Sequence, residues 1–216
     1  MESELKIKFP SPEELHATIS SAWFKSAVFQ EDEKTEEYIN RYFDTEDHLL
    51  LDKHVSVRVR QIVGQNYVHS IKLGGKSIDG FSQRYEWNQE ADAGRFDVKR
   101  FLEQAAICDD PIELLEEALA PIKSRDLVEI CQTRFTRKTI TAGYGDSLFE
   151  ICLDDGACIA GDKSIPICEM EIELISGNTG DVIDFGHLVE DNSNGEFSNF
   201  SKYGRCLALL KGETIV

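Results

Sequence analysis

ESELKIK, residues 2–8, alternates charged and uncharged side chains from its first position. Successive strand residues point to opposite faces, so Glu2, Glu4, Lys6 and Lys8 share one side, while Ser3, Leu5, Ile7 and Phe9 share the other. Alone, this is a half-buried strand with its charges in water. The pattern, however, returns along the chain. HVSVRVRQIV (54–63) sets Val55, Val57 and Val59 against Ser56, Arg58 and Arg60, and YVHSIKL (67–73) brings Lys72, with GQN (64–66) predicting a hairpin between them. SQRYEWN (82–88) opposes Arg84 and Glu86 to Tyr85 and Trp87. RFTRKTI (134–140) is a basic strand that YGDS (144–147) turns into LFEICLD (148–154), where Glu150, Cys152 and Asp154 oppose Phe149, Ile151 and Leu153. ICEMEIELI (167–175) sets Glu169, Glu171 and Glu173 against Cys168, Met170, Ile172 and Leu174.

Two architectures produce such strands. An open sheet would cover its apolar face with helices and wet its charged face. A closed barrel would turn the charges into its interior. Solvated strand faces mix Thr, Ser, Gln and Lys, whereas here short acids and long bases alternate at close range, which tilts the balance toward the barrel. Helices are predicted at FPSPEELHATISSA (9–22), with Ser11 as N-cap, Pro12 at the first helical position and Glu14 completing a capping box. DDPIELLEEALA (109–120) repeats that grammar from Asp110, Pro111 and Glu113, and RFDVKRFLEQAA (95–106) and GDVIDFGHLVED (180–191) are further helical stretches.

The chain of 216 residues, 41% hydrophobic with 12 Phe, suits one folded domain spanning 1–216. No apolar run is long enough to span a membrane, and acids at Glu2 and Glu4 fit no secretory signal. Six dispersed cysteines without a CxxC pair are expected to be reduced thiols in a cytoplasmic protein. With 40 acids to 23 bases, the net charge of −17 repels nucleic acid at long range, though not an anion held in an enclosed site. EDEKTEE (31–37) is most simply a solvated acidic face. No histidine sits in a motif, and no Ser-His-Asp or Cys-His set is present, which argues against a covalent intermediate.

In order, the ExExK opening, RYFDTED (41–47), VRVR (57–60), IKL (71–73), RYEWN (84–88), FEICLDDG (149–156) with ICEMEIEL (167–174), and FSKYGRC (200–206) resemble the strands of CYTH domains, the triphosphate tunnel metalloenzymes. GACIAGDKSIPICEMEIELISGN (156–178) is most similar to the bacterial inorganic triphosphatase branch. Many members continue into a helical CHAD domain. None follows here, so this stretch is expected to be a stand-alone form or a piece of a longer one.

The resemblance implies an α+β fold, a closed antiparallel eight-stranded β-barrel with helices packed outside. It implies a lumen that binds tripolyphosphate or another triphosphate and hydrolyses a terminal phosphoanhydride. Lys6, Arg58, Arg60, Lys72, Arg84, Arg137 and Lys202 would be the catalytic, substrate-binding cradle, since arginine forks and lysine point charges match phosphate oxygens. Arg137 rather than Arg134 is expected to face inward. Lys8 and Arg205 are expected at the barrel end or surface. Glu2, Glu4, Asp154, Glu169, Glu171 and Glu173 would be hard-oxygen ligands for Mg²⁺ or Mn²⁺, with Glu86 and Glu150 orienting arginines. The same motifs also serve class IV adenylyl cyclases and thiamine or nucleoside triphosphatases. A non-catalytic polyphosphate-binding module would have lost the metal carboxylates, and a carrier barrel would have an apolar lumen.

Overall fold

The alternating strands close into a ring. In chain order the elements are β1 (Glu2–Lys8), α1 (Pro12–Ser20), α2 (Ala22–Ala27), β2 (Phe29–Asp44), β3 (Val55–Ile62), β4 (Tyr67–Leu73), β5 (Ser77–Ile78), β6 (Phe81–Ala91), α3 (Val98–Ala105), α4 (Ile112–Leu119), β7 (Val128–Tyr144), β8 (Ser147–Ala160), β9 (Lys163–Ser176), α5 (Thr179–Asp191), β10 (Glu196–Phe197) and α6 (Lys202–Lys211). The computed structural model describes residues 1–105 and 111–213, with side chains for all but Gln30, Glu31 and Asp52. Asp110 and Cys108 lie outside the described residues, and α4 begins just after Pro111.

The sheet runs β10-β1-β9-β8-β7-β2-β3-β4-β6-β5, and β1 also pairs with β6. With the two-residue strands β5 and β10 set aside, this closes an eight-stranded barrel, antiparallel throughout. Its register places bases opposite acids: Lys6 faces Glu171, Lys72 faces Glu86, Arg84 faces Glu2 and Arg137 faces Asp154. Opposite charges at such cross-strand positions attract, by about 0.2–1 kcal/mol per pair where solvent screens them.

The apolar faces point outward and meet helices. On one side Leu5, Ile7, Phe149, Ile151 and Ile172 pack against Leu15 of α1, Phe24 of α2 and Phe185 of α5. On the other, Val55, Val57, Val59, Ile71 and Trp87 pack against Phe101 of α3 and Leu115 of α4. Burying each such side chain is worth roughly 1.5–3 kcal/mol, which fixes the strands' parity and so turns their charges inward. Gly186 lets α5 lie close on β1, because a Cβ there would meet Leu5 Cδ1 at 2.6 Å.

Sequence reading missed α2 and α6, and it stopped short of the full β2. EDEKTEE is part of that 16-residue strand, and Asp32, Glu33, Lys34, Thr35 and Glu37 are exposed on it, the solvated face expected. The placement of α6 differs from that of the other helices. Cys206 packs with Cys131, Phe135, Cys158 and Ile167, residues that share the inward parity of Arg137, Asp154 and Glu169. The helix therefore plugs one end of the barrel instead of lying on its outer wall.

Candidate active site

The barrel encloses a cavity of about 360 Å³, and its walls are ionic. Each strand contributes through the parity its outer face imposes: Glu2, Glu4 and Lys6 from β1, Arg58 and Arg60 from β3, Lys72 from β4, Arg84 and Glu86 from β6, Arg137 from β7, Glu150 from β8, and Glu171 and Glu173 from β9. Lys202 enters from α6, whose first turn is fixed by Ser201 Oγ accepting from Gly204 N–H. Arg134 points to solvent, as expected from its opposite parity, and Lys8 lies exposed beside Glu196 at 3.1 Å.

The charges form linked clusters. Lys72 Nζ meets both oxygens of Glu2 at 2.8 and 2.9 Å and Glu86 at 3.0 Å, while Arg58 reaches the other Glu86 oxygen at 3.0 Å. Arg84 pairs with Glu2 at 3.2 Å and donates to Glu4. Deeper, Arg137 bonds Asp154 twice and Glu171 once, all at 2.6 Å. Lys202 Nζ lies 2.5 Å from Asp154 and 2.9 Å from Glu171 and donates to Glu169, and Lys6 donates to Glu171.

Burial by itself would push these carboxylates up and the lysines down. The pairing outweighs it. Lys202, Lys6 and Arg137 hold Glu171 well below the usual carboxylate range, and Lys72 and Arg58 do the same for Glu86. Glu171 and Glu169 in turn raise Lys6. Glu173 is the exception. Burial, together with Glu2, Glu86 and Glu150, pushes it up to about 7.

The structure places the remaining expected residues as follows. Asp154 and Glu169, expected as metal ligands, lie fully buried behind the cavity wall. Asp154, Glu169 and Glu171 are close enough to share one ion, but the Lys202 ammonium already sits among them. Glu150, read as an arginine partner, has no arginine within 4.0 Å among the described residues. It accepts instead from Cys152 Sγ at 3.4 Å, because the lumen arginines are drawn to Asp154, Glu171, Glu2 and Glu4. Arg205 stands on the plug helix α6, at the barrel end expected for it. It donates to Glu169 from outside the lumen.

Sequence reading also passed over Tyr38, Asn40, Phe135 and His54. Tyr38 and Phe135 stack at 5.5 Å inside the barrel, with Arg60 5.0 Å from the Tyr38 ring and Lys202 5.1 Å from Phe135. Inward parity, shared with Arg137, was the available signal for Phe135. His54 lines the cavity mouth with a left-handed backbone, φ 55°.

The profile of the CYTH domain matches residues 1–206. The chain belongs to the CYTH family. The inorganic triphosphatase of Haemophilus influenzae is 30% identical over 169 residues, 77% of this chain and 44% of that protein. The CYTH chain thus spans less than half the length of this curated relative. Among solved structures, a candidate adenylyl cyclase from Hippeastrum, described as having a dominant triphosphatase activity, superposes with a TM-score of 0.65 at 20% identity, covering 100% of this chain and 98% of that one. A candidate adenylate cyclase from Bacillus halodurans superposes with a TM-score of 0.60 at 20% identity, covering 95% and 96%. Both share the tunnel fold.

CYTH triphosphatases depend on a metal, and the donors here suit a hard cation. They are all carboxylate oxygens, and Glu2, Glu4 and Glu173 line the cavity.

Proposed function

We propose that this CYTH chain hydrolyses inorganic triphosphate to diphosphate and phosphate within its lumen. The reading is carried by one cavity on which Arg58, Arg60, Lys72, Arg84, Arg137 and Lys202 converge alongside Glu2, Glu4, Glu171 and Glu173. The Haemophilus relative's activity supports the choice of substrate.

Lys72 and Arg84 are the more accessible cations, with side chains 20% and 16% exposed against 8% for Arg137. They are therefore the ones to exchange partners. When phosphate oxygens take their N–H donors, Glu2 and Glu4 are released. Glu2, Glu4, Glu171 and Glu173 would then hold Mg²⁺ or Mn²⁺, hard ions that this oxygen set matches. Such an ion would supply charge neutralisation on the phosphate and a site for the attacking water. Arg137 and Lys202, anchored by Asp154 and Glu169, form the rigid floor of the cradle, where preorganised donors need no rearrangement as charge builds. The whole chain, 1–216, would act as one such domain. Among the described residues no helix is long and apolar enough to cross a membrane, and the five described cysteines are free thiols, which supports a reducing compartment such as the cytoplasm.

The test is phosphate release from tripolyphosphate, ATP and thiamine triphosphate with Mg²⁺ or Mn²⁺. Tripolyphosphate should be turned over fastest. Faster release from ATP or thiamine triphosphate would reassign the substrate. Binding of tripolyphosphate without release from any of the three would make the lumen a polyphosphate-binding module.

A further inference from the structure

Arg60 differs from every other cation of the cradle. Lys6, Arg58, Lys72, Arg84, Arg137 and Lys202 each have a carboxylate within 4.0 Å. Among the described residues Arg60 has none. Its Nε donates to Asn40 Oδ1 at 3.0 Å, and its guanidinium lies over the Tyr38 ring, 5.0 Å from the centroid.

The orientation of Asn40 follows from donor chemistry. Arginine Nε–H can only donate, so the amide oxygen must face it, and the amide nitrogen must turn away. That nitrogen donates to Thr133 Oγ1 at 3.1 Å. Asn40 is 1% exposed and Thr133 is fully buried, so the pair is a fixed mount. The register agrees, since Asn40 on β2 stands directly opposite Arg60 on β3 and Thr133 on β7.

We propose that Asn40 is a positioning residue. It aims the Arg60 guanidinium into the lumen through a neutral oxygen, leaving its charge uncancelled and making Arg60 the first anchor for an incoming polyphosphate. This rests on the triphosphate reading of the lumen. An aspartate at position 40 would offer the same hydrogen bond but spend the charge on itself. The aromatic contact likewise attracts the cation without neutralising it. Burial, with Arg58 and Arg137 nearby, lowers Arg60 to about 10, in keeping with a cation that lacks a counter-charge. A polyanion supplies that charge, whereas at the paired cations it must first displace a carboxylate.

The experiment is calorimetric titration of the full chain with tripolyphosphate in a chelator, alongside steady-state KM and kcat with Mg²⁺. Asn40→Ala should weaken binding several-fold, and Asn40→Asp should weaken it more, by roughly tenfold or above, the factor that ~1.4 kcal/mol of lost charge-assisted binding gives. The loss should appear in KM more than in kcat. In an Arg60→Ala background, Asn40→Ala should have no further effect. Thr133→Val, which removes the mount with little change of volume, should follow Asn40→Ala in the same direction. Three results would each overturn the proposal: wild-type affinity in Asn40→Ala, an undiminished Asn40→Ala effect without Arg60, or wild-type affinity in Asn40→Asp. Absence of tripolyphosphate binding by the wild type would overturn it too. Binding that obeys this pattern without hydrolysis would defeat the triphosphatase reading and leave the role of Asn40 standing.

Discussion

Arg137 donates Nε–H to one oxygen of Asp154 and Nη2–H to the other, each at 2.6 Å, in a pair almost shut off from solvent. Lys202 shares the second oxygen at 2.5 Å. Asp154 is thus the counter-ion of two buried cations, and it holds both at the floor of the cradle.

Removing that counter-charge should cost stability before it costs metal affinity. Asp154→Asn leaves Arg137 and Lys202 undercompensated in a low-dielectric site. Breaking a buried pair from one side costs about 3–5 kcal/mol. Thermal melting should show a large fall in Tm, while the Mg²⁺ concentration for half-maximal activity in the surviving folded protein stays near that of the wild type. A raised metal requirement with an unchanged Tm would return Asp154 to the metal ligands.

The cavity-facing residues should separate differently. Arg58→Ala or Lys72→Ala removes a preformed donor to phosphate and should lower kcat/KM by about 10²–10³-fold, without rescue by excess Mn²⁺. Glu4→Gln or Glu171→Gln should raise the metal concentration needed, and excess Mn²⁺ should recover part of the rate. Rescue of the arginine variant and not of the glutamate variants would reverse the roles.

These residues were legible because parity is a strong signal wherever one face is apolar. Val55, Val57 and Val59 bury outward, so Arg58 and Arg60 must point in, and the same argument chooses Arg137 over Arg134. Parity does not say which acid a base will meet. That depends on register and barrel tilt, and so the pairing of Asp154 and Glu169 with Arg137, Lys202 and Arg205 could not be read from the sequence. The lumen part of β2 was hidden for another reason. EDEKTEE has no apolar alternation, and so Tyr38 and Asn40 did not stand out as one face. The plug α6 carries Gly204 and a mixed set of buried residues, Lys202, Cys206, Leu207 and Ala208, because its neighbours are both ionic and apolar.

Hydrolysis should favour the alkaline side. The carboxylates must be ionised to hold a metal, and attack needs a water that can lose its proton. Among the described residues His54 is the one histidine on the cavity wall, and it is exposed. The kcat/KM profile should therefore rise through neutrality and keep its shape in His54→Gln. A maximum below about pH 6.5, lost in that variant, would show that a histidine serves as base.

Glu173 supplies a pH-dependent stability whose sign can be worked out. Its folded pKa is raised from 4.5 to about 7 by burial and by Glu2, Glu86 and Glu150. Between those values the folded chain holds a proton that the unfolded chain has released, so stability falls as pH rises from about 4.5 to 7 and levels off above. A shift of this size corresponds to about 3 kcal/mol for a group this well buried. Glu173→Gln cannot ionise and should escape the loss. Its Tm should exceed that of the wild type by roughly 5–10 °C at pH 8 in a chelator, the range expected for a chain of this length. The gap should close toward pH 4.5. Below that, both proteins should weaken together, because Glu86, Asp154 and Glu171 have depressed pKa values and lose their ion pairs only in acid. Mg²⁺ or Mn²⁺ at pH 8 should stabilise the wild type more than the variant, since a cation relieves the same repulsion that the substitution removes. Equal Tm values at pH 8 without metal would mean that Glu173 ionises freely and that the negative end of the lumen is not the place where a cation is needed.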